Sequence, residues 1–197
     1  MAATGVLLLL AASATALAIA PALMPESYSW VSNGTSESAA QGVNGAWLAR
    51  LGFLLFGLAV LSLARLARPD WGRPAALLHS AFGVLMFAVA AFATRSWESG
   101  AAFDRTEDLL HNVAATTMGF AFAFGVLAVA LRRAKARSRP RVVDVVAIAA
   151  AVVLPIAMGA WDDAMGALQR TLFLVAYVWY AVEATRITAP EAAGDEP

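Results

Sequence analysis

The chain contains two histidines, no cysteine and one dense cluster of charge, and these decide which chemistry is open to it. Asp104, Arg105, Glu107, Asp108 and His111 fall within eight residues. Asp108 and His111 are three apart, so on a helix they share a face, where a carboxylate and an imidazole can pass a proton. The same types bind zinc or calcium. There is, however, no His-Glu-x-x-His and no EF-hand loop, so no metal is expected. Arg50 and Arg170 offer planar guanidinium forks, which suit phosphate or carboxylate. The candidate ligand-binding set is therefore Glu37, Arg50, Asp108, His111, Asp162 and Arg170. No catalytic residue and no cofactor is assigned. The lack of cysteine excludes disulfides, thiolate metal sites and thiol nucleophiles. There is also no nucleotide-binding glycine motif, nucleophile elbow or voltage-sensor array.

The elements that must position these groups are membrane helices. The chain has 197 residues, of which 60% are hydrophobic and 14% charged, against about 25% charged in a soluble domain. Formal net charge is zero, so nucleic acid is not an expected partner. A helix needs roughly 20 apolar residues to cross about 30 Å of hydrocarbon. Six stretches meet that length, at about 4–24, 46–66, 74–94, 109–131, 142–160 and 166–187. The fold class is thus an all-α integral membrane bundle of six transmembrane helices, forming a single domain over residues 1–188. Residues 189–197 read as a disordered acidic tail. Gly52, Gly57, Gly83, Gly119 and Gly125 are placed to let helices approach closely. Pro155 is expected to kink the fifth span. The first span reads as a retained helix and not a cleaved signal peptide, because Met1–Gly5 has no positive charge.

The connections set the orientation. Ten of the 14 Lys/Arg lie on one side: Arg65, Arg68, Arg73, Arg132, Arg133, Lys135, Arg137, Arg139, Arg141 and Arg186. The positive-inside rule makes that side cytoplasmic and places both termini there, in the cell membrane. The long segment at about 25–45 then lies outside, polar with aromatic anchors at Tyr28 and Trp30, and is expected to be ordered over the mouth of the bundle. This topology puts His79 and His111 near opposite faces, about 20 Å or more apart at about 1.5 Å per residue, so a bis-histidine haem is not expected. His79 reads as a polar helix-end residue bonded to Glu183 or a carbonyl, and Glu183 and Arg186, three apart, as a pair. Two readings of the outer charges stay open. In one, the arginines snorkel outward and the acids form a solvated rim. In the other, Arg50 and Arg170 turn inward toward Asp108, Asp162, Asp163 or Glu37 and line a polar, outward-facing pocket.

The order of these features resembles a known family. An aromatic pair and a Ser-Glu stretch, Tyr28-Ser29-Trp30 and Thr35-Ser36-Glu37-Ser38, precede Gln41-Gly42. Trp47-Leu48-Ala49-Arg50-Leu51-Gly52 follows, then His79 before Phe82-Gly83, His111 after a charged loop, and Gln169-Arg170 opening the last span. The sequence is similar, over nearly its whole length, to the bacterial membrane-protein family DUF998, a distant relative of the eukaryotic FRAG/DRAM/SFK group. The resemblance implies a six-helix bundle without an established activity, and its eukaryotic relatives imply lipid handling. It also points to Glu37, Arg50, His111 and Arg170 as residues to test. The family's usual Ser-Glu-Leu-Gly is here Ser36-Glu37-Ser38-Ala39-Ala40-Gln41-Gly42. The expected function is binding of a membrane lipid or other amphiphile at the outer pocket. The alternatives are a membrane enzyme acting on a lipid, with His111 and an acid from Asp108 or Asp162 transferring protons, and an accessory subunit with partner membrane proteins or copies of itself.

Overall fold

Helix formation here follows from long apolar runs: Ala and Leu favour helix locally, and in hydrocarbon the backbone of Val- and Phe-rich stretches can satisfy its polar groups only within the helix itself. The computed structural model describes residues 3–137, 139 and 141–188, and among them it is all helix and turn, with no strand. The helices are α1 (Ala3–Ile19), α2 (Ala46–Leu66), α3 (Arg68–Ala91), α4 (Arg105–Lys135), α5 (Val142–Ala160) and α6 (Met165–Thr188). Short 3-10 turns extend α1 (Ala20–Leu23), interrupt the α1–α2 loop (Glu37–Ala39) and lead into α6 (Asp162–Ala164). Five helices, α1 through α5, are long and apolar enough to cross a membrane, which makes this a multi-pass membrane protein. The sixth expected span forms as a helix of the expected length, but Arg170, Glu183 and Arg186 interrupt its apolar run. The tail expected to be disordered lies outside the described residues.

Each helix packs against the next in sequence, and α6 closes the ring on α1 while touching α2 across the centre. Glycine sets the tightest crossing. A methyl group at Gly57 would stand 2.7 Å from the Gly83 carbonyl oxygen, so α2 and α3 meet backbone to backbone. Gly125 plays a related part on α4, where its bare backbone admits the His79 ring. Gly119 faces open space and supports no crossing.

The core is aromatic. Phe53, Phe56, Trp71, Trp179 and Tyr180 are fully buried, and Phe56 stacks on Tyr177 with ring centroids 4.2 Å apart. Pro155 lies within an unbroken α5. A break in helical backbone falls in α3, at Gly72, whose φ of 78° and ψ of 164° leave helical space just before Pro74. The turn before this break buries Trp71. The α5 helix is the least enclosed, with Val142, Val145, Val152, Val153 and Ile156 exposed.

Candidate functional site

The segment between α1 and α2 is held down from three directions. From α6, the Ala167 amide donates to the Val31 carbonyl (2.8 Å) and the Gln169 side-chain oxygen accepts from the Thr35 amide (2.6 Å). Arg170 donates through Nη1 to the carbonyls of Trp30 (2.7 Å) and Asn33 (2.8 Å), and through Nη2 to the Tyr28 hydroxyl (2.5 Å). Its guanidinium also lies over the Trp30 ring, 4.9 Å from the centroid. From α2, Arg50 Nε donates to the Ala39 carbonyl (3.2 Å). Within the segment, a Glu37 oxygen accepts from the Gly34 amide (2.5 Å). Burial pushes the Tyr28 phenol above its ordinary pKa, and the adjacent Arg170 charge opposes that rise.

The third direction is the corner between α3 and α4. A helix end leaves backbone groups without intrahelical partners, and here the first turns of α4 and one glutamine satisfy them. Asp104 caps α4 by accepting from the amides of Thr106 (2.7 Å) and Glu107 (3.0 Å). Glu107 accepts from the Ala93 amide (2.8 Å), and one Asp108 oxygen from the Thr94 hydroxyl (3.0 Å) and the Arg95 amide (2.8 Å). His111 Nδ1 bonds the Phe92 carbonyl at 2.8 Å, so the proton sits on Nδ1. Gln41 ties this corner to the α1–α2 segment. Its amide nitrogen donates to the carbonyls of Ala93 (2.8 Å) and Asp104 (3.1 Å), and its oxygen accepts from the Asp104 amide (2.7 Å).

Two of the cavities at this end of the bundle receive most of the candidate residues. One is polar, of about 470 Å³, lined by Glu37, Arg95, Asp108, His111, Asn112 and Gln169. The other is an apolar groove of about 540 Å³ between α1 and α6, lined by Ala14, Leu17, Ala18, Phe173, Leu174 and Tyr177, with Trp30, Thr35 and Arg170 at its end. Among the described residues Arg170 forms no ion pair. The Thr35 hydroxyl is buried and has no hydrogen-bond partner among the described residues.

The candidate residues are thus divided. Glu37, Asp108 and His111 share the polar cavity, Arg170 heads the groove, and Arg50 lines a separate shallow recess beside Trp47. Asp162 is exposed in the turn before α6 and lines neither cavity. The expected pairing of Arg50 and Arg170 with carboxylates is corrected: both bind backbone carbonyls of the α1–α2 segment. The reason is that a loop crossing the bundle end presents unpaired carbonyls, and guanidinium groups fill that need. Among the described residues no three His, Asp or Glu side chains are arranged to hold a metal ion.

The opposite, basic end holds a buried network that the spacing did not reveal. Arg133 on α4 bridges Asp144 on α5 (2.9 Å) and Glu183 on α6 (2.5 Å), and Arg141 reaches Glu183 at 3.2 Å. The expected Glu183–Arg186 pair forms at 3.7 Å. Trp71 and Trp179 donate their indole N–H groups to Glu183 (2.7 Å) and Asp144 (2.8 Å). Burial, then the neighbouring Arg133 and Arg186 charges, pull Arg141 below its ordinary pKa. His79 is fully buried and not a helix-end group. It bonds the Tyr180 hydroxyl at 2.9 Å and packs between Trp71 and Trp179, so its expected partner Glu183 is instead taken by the indole and the arginines. The available signal was Asp144, a carboxylate inside an otherwise apolar stretch.

A sequence model of the family described as Protein of unknown function (DUF998) matches residues 2–186, and the chain belongs to that family. No curated protein and no solved structure matches it.

Proposed function

We propose that this DUF998 protein is a six-span protein of the cell membrane, with both ends cytoplasmic, that binds a lipid or related amphiphile in the groove between α1 and α6. A sixth span is reasonable for α6 despite its charges. Trp179, Tyr180 and Ala184 are fully enclosed by the other helices, and Glu183 is neutralised inside the network. A charged helix shielded by its neighbours need not be apolar all round. The asymmetry of Lys and Arg supports the orientation.

One observation carries the binding reading. Among the described residues, an apolar groove ends at a guanidinium that has no carboxylate partner, beside a buried hydroxyl that has no hydrogen-bond partner. A charge facing hydrocarbon is costly until an anion meets it. Arginine satisfies a phosphate or carboxylate through its remaining donors. The groove volume falls within the range of about 300–1,000 Å³ common for small-molecule sites. By contrast, His111 and Asp108 are each bonded to the backbone of the α3–α4 corner and not to one another, so amphiphile binding is favoured over proton-transfer catalysis.

The test is native mass spectrometry of the detergent-purified protein. The wild type is expected to retain one amphiphile, and both Arg170→Gln and the groove-filling Ala14→Phe to lose it. Equal adducts in all three proteins would refute the assignment.

A further inference from the structure

The groove and the polar cavity are the two sides of one turn. Thr35 lines the groove, whereas Gly34, Ser36 and Glu37 line the polar cavity. On α6 the neighbouring residues divide in the same way, Arg170 to the groove and Gln169 to the cavity. A short chain of hydrogen bonds joins the two: Arg170 to the Tyr28 hydroxyl (2.5 Å), that hydroxyl to the Gly34 carbonyl (2.9 Å), and the Gly34 amide to Glu37 (2.5 Å). A cation with no ion-pair partner among the described residues and a carboxylate therefore stand on opposite faces of the same few residues.

The acidic side also has unused capacity. Glu37 is engaged through Oε2 and Asp108 through Oδ1, and among the described residues no hydrogen bond is formed by Glu37 Oε1 or Asp108 Oδ2. Both residues are half-buried, so these oxygens are partly desolvated acceptors. A carboxylate accepts and does not donate, and Glu37 and Asp108 outnumber Arg95, the cation that lines the same cavity, which calls for a further cation with several N–H groups.

We infer that the bound amphiphile is zwitterionic, with its anion on Arg170, its tail in the groove and a primary ammonium group across the turn at Glu37 and Asp108. This rests on the groove reading above and names the headgroup class. A primary ammonium has three donors to offer these acceptors. A quaternary ammonium has none, and an uncharged polyol leaves the excess negative charge over Arg95 unmatched.

The experiment reloads delipidated, detergent-purified full chain with phosphatidylethanolamine, phosphatidylglycerol or phosphatidylcholine of identical acyl chains, and reads retention by native mass spectrometry. Charge-assisted hydrogen bonds of ordinary strength predict that phosphatidylethanolamine is retained about tenfold better than the other two. The double variant Glu37→Gln/Asp108→Asn keeps amide oxygens to accept from Gly34, Thr94 and Arg95, and should bring that preference to unity in a protein that still folds. Equal retention of all three lipids by the wild type, lowered together by Arg170→Gln, would overturn the headgroup assignment and leave the groove reading standing. No retention of any lipid by the wild type would overturn both. Glycerophosphoethanolamine held as tightly as the full lipid would overturn the amphiphile assignment in favour of a soluble zwitterion.

Discussion

Arg133 shows how differently two ion pairs to one carboxylate can weigh. Asp144 and Glu183 are 1% and 2% exposed, so removing Arg133 leaves two buried carboxylates short of their main counter-charge. Breaking such a pair costs about 3–5 kcal/mol. Arg186 meets the same Glu183 at 3.7 Å from a side chain that is 44% exposed, where an ion pair contributes about 0–1 kcal/mol. Denaturation in mixed micelles should therefore find Arg133→Ala strongly destabilised and Arg186→Ala close to wild type. Similar losses in the two variants would contradict the network. The His79–Tyr180 bond gives a second contrast. His79→Phe leaves the Tyr180 hydroxyl buried and unpaired, at a cost of about 1–3 kcal/mol, whereas His79→Phe/Tyr180→Phe removes both partners and should recover most of that loss. A double variant no better than the single would mean that the pair is not coupled.

At the scale of elements, helix crossings and the fastening of the α3–α4 corner can be separated by simple substitutions. A methyl at Gly57 or Gly83 would press on a backbone carbonyl at 2.7 or 2.9 Å, and the helices must part to admit it. Overpacking of that kind costs about 1–3 kcal/mol. At Gly119 nothing stands within reach, so Gly119→Ala should be neutral or gain up to about 1 kcal/mol from helix propensity. Thermal unfolding followed by circular dichroism distinguishes these outcomes, and a harmless Gly57→Ala would show that the crossing is looser than drawn. Gln41 is the element-scale fastener at the loop end. Three side-chain hydrogen bonds at about 0.5–1.5 kcal/mol each predict that Gln41→Ala speeds amide exchange at Gln41's partner Asp104 and its neighbours, with less effect at the basic end. Uniform exchange across the chain would count against this role. The motif Gln41-Gly42 was visible in the sequence. Its function was not, because its partners are the backbone of residues 93 and 104, and main-chain groups carry no sequence signature.

At the scale of the whole molecule, the orientation in the membrane is open to direct labelling, helped by the absence of native cysteine. Ser99 and Ala136 are exposed in connections at opposite ends of the bundle. In intact cells a membrane-impermeant maleimide should label Ser99→Cys, and reach Ala136→Cys only after permeabilisation. The reverse pattern would invert the proposed topology. The sequence by itself determined the helical class; expected and observed bounds coincide for α2 and α5, whereas α3 begins at Arg68, six residues before its expected span. That is because partition into hydrocarbon and helix formation are sums over contiguous residues. It also determined which side chains had chemistry to offer. Only the tertiary structure decided what each of them meets. Arg170 finds carbonyls 137 and 140 positions away, and Arg133 gathers carboxylates from two other helices. Glu37 and Arg170 end on two sides of one turn. Such pairings depend on which segments lie side by side, a property of the closed ring that no local window contains.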